Sequence, residues 1–172
     1  MNMALMNYSG WGQQISDKHL NYGKCLFPVE LERNDIGVEK AKGETIGVLL
    51  IDDEKDFVGY MAQLLKRIGK RSKIKLEIHR AFNGDEAVKT LFEKRGKIGL
   101  IITDLMHGGL HGAELIGYLE RNFKNIPIIV ISGMYEKLKQ KIEADIYEGF
   151  PKPCDVETLA GTIEDVFSSD PC

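Results

Sequence analysis

The chain has 172 residues, 43% hydrophobic and 28% charged, with a net charge of −3. That length suits one domain with a real core and some excess. The charge balance excludes a strongly basic nucleic-acid binder. No apolar run approaches the roughly 20 residues that a membrane span needs, so no membrane role is expected.

The opening MNMALMNYSGWG has neither a basic start nor a sustained apolar stretch, which argues against a signal peptide. Cys25, Cys154 and Cys172 are far apart and lack CxxC spacing, so free thiols in a reducing cytoplasm are expected. Residues 1–44 show no sustained period of two or 3.6. They mix polar residues and glycines with Trp11, Tyr8, Tyr22 and Phe27, and read as an arm that is partly disordered or loosely packed.

From residue 45 the pattern becomes regular. Val48–Ile51 is a short apolar run ending at Asp52-Asp53. Phe57, Met61, Leu64, Leu65 and Ile68 then share a helical face, and Gly69 reads as the helix stop. Ile74, Leu76 and Ile78 alternate with charged residues as in a strand. Asn83-Gly84-Asp85 starts a second helix, with Ala87, Val88, Leu91 and Phe92 inward and Gly96 after it.

A third strand, around Leu100–Ile102, ends at Thr103-Asp104 in a loop with three glycines. A helix over residues 113–123 follows, then a strand over 128–131 that ends at Ser132-Gly133. Residues 135–144 read as a weak, charged helix, and 147–150 as a short strand leading to Pro151-Lys152-Pro153. Asp155 caps a final helix that buries Leu159, Ile163, Val166 and Phe167. Five strands alternating with five helices predict an α/β fold: a doubly wound, five-stranded parallel sheet with helices on both faces, flavodoxin-like.

In such sheets ligands bind at the carboxyl ends of the strands. Those ends carry Asp52 and Asp53, then Asp104, Ser132 and Lys152. Three carboxylates brought together either raise a pKa or recruit a cation. An all-oxygen set suits Mg2+, which keeps open positions for a substrate such as phosphate. Lys152 supplies a compact positive charge and Ser132 a hydroxyl, both suited to phosphoryl oxygens. Asp104 is the candidate nucleophile, because carboxylates form acyl phosphates.

The carrying motifs are LLIDDEKDF (49–57), AFNGDEAV (81–88), ITDLMHGGLHG (102–112), IPIIVISG (126–133) and PKP (151–153). Together they resemble the receiver domain of two-component response regulators, over about residues 46–168. The resemblance implies a receiver domain at 45–172 in which Asp104 is the phospho-acceptor and the donor is a sensor histidine kinase or phosphotransfer protein. It implies Mg2+ held directly by Asp53, with Asp52 acting through water or orienting it, and by Asp104 and the backbone carbonyl of Met106. Ser132 corresponds to the switch hydroxyl, Lys152 to the active-site lysine, and Pro153 to a proline whose preceding bond is usually cis.

Two positions depart from the family's pattern. The family often has Met-Pro three and four residues after the acceptor, where this chain has His107-Gly108. Many members carry Tyr or Phe three residues before the lysine, where this chain has Gly149. His107 and His111 lack the further ligands of a zinc site and read as loop residues.

No output or DNA-binding module is recognisable. The resemblance implies a stand-alone switch rather than an enzyme, signalling to a downstream protein, by phosphorelay, or through a homodimer. The expected surface is Tyr135–Phe167. A non-phosphorylated scaffold with the same fold is the alternative. A dehalogenase-type phosphotransferase would need an acid two residues after the nucleophile, where Met106 stands.

Overall fold

The computed structural model describes residues 45–106, 112–123, 125–142 and 144–168. The expectations for the arm, for His107, Gly108 and His111, and for Cys25 and Cys172 fall outside those residues. The elements are β1 (Thr45–Ile51), α1 (Lys55–Arg71), β2 (Lys75–Ala81), α2 (Gly84–Glu93), β3 (Ile98–Thr103) and α3 (Gly112–Asn122). They continue with β4 (Ile128–Ser132), α4 (Tyr135–Leu138), β5 (Glu148–Pro151) and α5 (Val156–Ser168). All strand pairs are parallel, in the order β2-β1-β3-β4-β5. This is the doubly wound α/β fold that the alternation predicts.

Each strand's burial follows from its place in the sheet. β3 and β4 are buried at every position, as is β1 after Thr45, because both faces of these central strands are covered. β2 lies at an edge and alternates with charged residues. Alternate side chains of β1 feed two cores. Val48 and Leu50 join α1 and α5 on one face, and Leu49 and Ile51 join α2 and α3 on the other. Within the first core, Val58, Met61 and Leu65 are at most 1% exposed. Each stabilises the fold by about 1.5–3 kcal/mol relative to an exposed side chain.

Two local features differ from expectation. Gly69 does not stop α1, which continues to Arg71. A Cβ at Gly69 would sit 2.8 Å from the Ile74 carbonyl oxygen, so glycine is needed there for close approach to the start of β2. The chain turns instead through Lys73, at φ 58, and the Ile74 N–H donates to the Gly69 carbonyl at 2.8 Å. The helix expected over 135–144 is one turn, Tyr135–Leu138, followed by a 3-10 turn at Lys139–Lys141. None of the four residues of α4 is fully buried, so tertiary packing does little to extend so short a helix.

The helix starts agree with the sequence. The Asn83 side chain accepts from the Glu86 N–H at 2.8 Å, while the Glu86 carboxylate accepts from the Phe82 N–H at 2.8 Å. The Asp155 carboxylate accepts from the Thr158 N–H at 2.8 Å and from its hydroxyl at 2.7 Å. Both satisfy helix N–H groups that would otherwise lack partners. No described helix is long and apolar enough to cross a membrane.

Candidate functional site

The chain reverses direction across the sheet at β1, which has β2 on one side and β3 on the other. A crevice at such a switch point is where ligands bind in this architecture. Strand register brings the functional groups there. Ile51 is level with Thr103, and the Asp104 N–H donates to the Ile51 carbonyl at 2.9 Å, so Asp52 and Asp104 leave adjacent strands side by side. Ser132 is level with Pro151, and the Lys152 N–H donates to the Ser132 carbonyl at 3.1 Å. The Lys152–Pro153 bond is cis, as the resemblance implies.

The Lys152 ammonium lies at the centre of the site. It donates to Asp52 Oδ2 at 2.6 Å, Asp104 Oδ2 at 2.8 Å and Glu54 Oε1 at 3.1 Å. It also stands 4.1 Å from the centroid of the Phe57 ring, close enough for a cation–π contact. Asp52, Asp104 and Ser132 are buried, at 3%, 5% and 0% exposure. Other donors fix the two aspartates. The Glu54 N–H donates to Asp52 Oδ1 at 2.8 Å, and the Met106 N–H donates to Asp104 Oδ1 at 3.0 Å. The Ser132 hydroxyl also favours the ionised form of Asp104. The Met134 N–H donates to Ser132 Oγ at 3.2 Å.

These contacts move the two aspartates in opposite directions. Burial is the largest influence on both and pushes each upward. For Asp52, burial outweighs its bonds to Lys152 and the Glu54 N–H, and the carboxyl rests above its ordinary value. For Asp104, the bonds from Lys152, Ser132 and the Met106 N–H together outweigh burial and hold it below. These bonds thus favour the ionised form of Asp104. Burial alone would lower Lys152, but bonds to Asp104, Asp52 and Glu54 raise it well above the usual lysine range.

Asp52, Asp104, Ser132 and Lys152 therefore come together as their places at the strand ends predict. Asp53 does not join them: its side chain is exposed and lies outside the acidic group. Glu54, absent from the sequence-based site, takes that place. One carboxylate oxygen each from Asp52, Glu54 and Asp104 lies within 4.8 Å of the others. Reading only the polar residues that end each strand stops at Asp53, whereas the link to α1 turns Glu54 back over Lys152. The signal available was the acidic run Asp52-Asp53-Glu54 itself. Met106 is 56% exposed at the mouth of the site.

Comparison with known proteins agrees with this geometry. The family model described as the response regulator receiver domain matches residues 48–164, and the chain belongs to that family. Such receivers are parts of two-component signalling systems. A transcriptional regulatory protein of Bacillus subtilis (strain 168), YesN, is 27% identical over 123 residues, 70% of this chain and 32% of that protein. An autoinducer sensor kinase/phosphatase of Vibrio cholerae, CqsS, is 31% identical over 116 residues, 64% of this chain and 16% of that protein. The matched stretches cover 10% to 39% of the lengths of such relatives, so the chain spans only part of each.

Among solved structures, the receiver domain of NtrX from Brucella abortus superposes with a TM-score of 0.61 at 24% identity. The match covers 72% of this chain and 99% of that one. The response regulator TrrA of Thermotoga maritima, solved in complex with Mg2+ and BeF, gives 0.58 at 26% identity, covering 70% and 98%.

Proposed function

We propose that Asp104 accepts a phosphoryl group from a phosphohistidine donor, a sensor histidine kinase or a phosphotransfer protein. One observation carries this reading: a buried carboxylate at the sheet's switch point, held by the Lys152 ammonium at 2.8 Å. An Asp104 carboxylate oxygen forms the new O–P bond as the donor's P–N bond breaks, and the imidazole leaves with the electron pair. Lys152, which bonds the carboxylate now, and Ser132 would then bond phosphoryl oxygens.

The donor set fits Mg2+. It is all oxygen, the Asp52, Glu54 and Asp104 carboxylates converge, and Asp52 is strained upward by burial in a way a cation would relieve. Asp52, Asp104 and the Met106 carbonyl would hold the ion. Asp53, from the same loop, would complete the set, while Glu54 bonds Lys152. When bound, the ion neutralises charge on the phosphoryl oxygens. TrrA, a neighbour in fold, was solved with Mg2+. The modified chain acts as a switch in the cytoplasm and signals by protein contact or by passing the phosphoryl group on.

The test is intact mass after incubation with acetyl phosphate, with and without Mg2+, beside Asp104→Asn. One phosphoryl adduct that requires both Mg2+ and Asp104 is expected. No adduct with acetyl phosphate or with a phosphohistidine donor would favour the scaffold reading.

A further inference from the structure

The periodicity of α1 puts Phe57 on the helical face that fills the core, with Met61, Leu64, Leu65 and Ile68. Its surroundings are not those of an ordinary core residue. Met61 and Leu65 are at most 1% exposed, whereas Phe57 is only partly buried and packs at the margin of that core. It lines a small cavity together with Asp52 and Asp104. The Lys152 ammonium lies over its ring, 4.1 Å from the centroid. Phe57 thus belongs to the site as well as to the core.

The start of α1 explains this placement. Glu54 is the residue before the helix, and its carbonyl accepts from the Val58 N–H at 3.0 Å. Residues three apart on a helix are neighbours, so the first turn brings the Glu54 carboxylate and the Phe57 ring to the same ammonium. An ammonium has three N–H groups, and Asp52, Asp104 and Glu54 accept from this one. The ring needs none of them, because an aromatic face attracts the charge itself. Its pull therefore persists when the N–H groups exchange carboxylate oxygens for phosphoryl oxygens. The Lys152 side chain is only 14% exposed, and exclusion of water strengthens such a contact.

We propose that Phe57 is a positioning residue for phosphoryl transfer, the face of its ring holding the Lys152 ammonium beside Asp104. Phe57 acts through Lys152 and not on the reacting atoms. A ring of similar size with a less negative face holds the lysine less well and slows the transfer. An aliphatic side chain fills the margin of the core but offers no such face. This inference rests on the phosphorylation of Asp104 proposed above.

The test places 4-fluoro-, 3,4,5-trifluoro- and pentafluorophenylalanine at position 57 of the full chain, beside Phe57→Leu. Fluorine changes the size of the ring little and withdraws charge from its face. Initial rates of adduct formation from acetyl phosphate with Mg2+ are followed by intact mass. Rates that fall stepwise with the number of fluorines support the proposal, the pentafluoro ring and leucine being slower than the wild type by about threefold to tenfold. Equal rates across the fluorinated series, or a wild-type rate in Phe57→Leu, overturn it and leave the acceptor reading standing. No adduct in the wild type overturns both.

NMR of the chain labelled with 13C-lysine supplies a second measurement without phosphorylation. The Lys152 ε-methylene signal, identified by its loss in Lys152→Arg, is expected upfield of the other lysines because of the ring current of Phe57. In Phe57→Leu it should return among them. A Lys152 signal already among them in the wild type would refute the contact and the proposal with it.

Discussion

Replacing Lys152 by alanine removes the ammonium that bonds Asp52, Asp104 and Glu54. The side chains of Asp52 and Asp104 are 4% and 6% exposed, and that of Lys152 is 14%. Two carboxylates would remain buried without their cation. Breaking such a buried pair by removing one partner costs about 3–5 kcal/mol. Glu54 adds little, because its side chain is 65% exposed and water screens it. The lower end, about 3 kcal/mol, is expected at pH 7, a fall in Tm on the order of 10 °C for a domain of this size.

The sign of the pH dependence follows from the two aspartates. Asp52 is already raised by burial and loses the opposing bond from Lys152, so it climbs further in the variant. The folded variant then takes up a proton before the unfolded chain does, and gains stability as pH falls from 7 toward about 4. In the wild type, Asp104 is lowered. Its contribution is full above the unfolded carboxylate value of about 4 and is lost as pH falls through the folded one. The gap between the two proteins should therefore narrow on acidification. Urea unfolding at pH 7 and pH 4.5 measures it. Equal stability at pH 7, or a gap that widens at pH 4.5, would refute the electrostatic account of the site.

Asn83→Ala should lose about 1 kcal/mol in urea unfolding, because it removes the acceptor for the Glu86 N–H. Gly69→Ala should lower Tm even though alanine gains about 1 kcal/mol of helix propensity, since its methyl meets the Ile74 carbonyl oxygen. A more stable variant would show that α1 and β2 can separate there at little cost. In Mg2+ titrations, Asp53→Asn should weaken binding by about tenfold, equivalent to about 1.4 kcal/mol, and Glu54→Gln by far less. The reverse order would make Glu54 the ligand and Asp53 a bystander.

The strands and most of the site were legible in the sequence because they rest on strong local signals. The runs at Val48, Leu100 and Ile128 are apolar throughout because both faces of a central parallel strand are covered. A polar residue that ends such a run is placed at the sheet's edge by that fact alone, which is how Asp52, Asp104, Ser132 and Lys152 came to be grouped. What escaped depended on contacts distant in sequence. Gly69 looks like a helix stop in one dimension, but its missing Cβ serves the approach of β2. Glu54 reaches a lysine 98 residues away. The contact of the Tyr135 ring with Gly149 appears only when α4 lies on β5. The length of α4 was overestimated because its charged pattern fixes no buried face, and no residue in it is fully buried.

The central claim is that the phosphoryl group resides on Asp104, and locating it chemically tests that claim most directly. The chain would be phosphorylated by a phosphohistidine donor with Mg2+, its acyl phosphate reduced with borohydride, and its peptides sequenced by mass. The account predicts homoserine at position 104 and unmodified acids at Asp52, Asp53 and Glu54. Homoserine at one of those three instead, or an unreduced peptide covering position 104 after full phosphorylation, would contradict it.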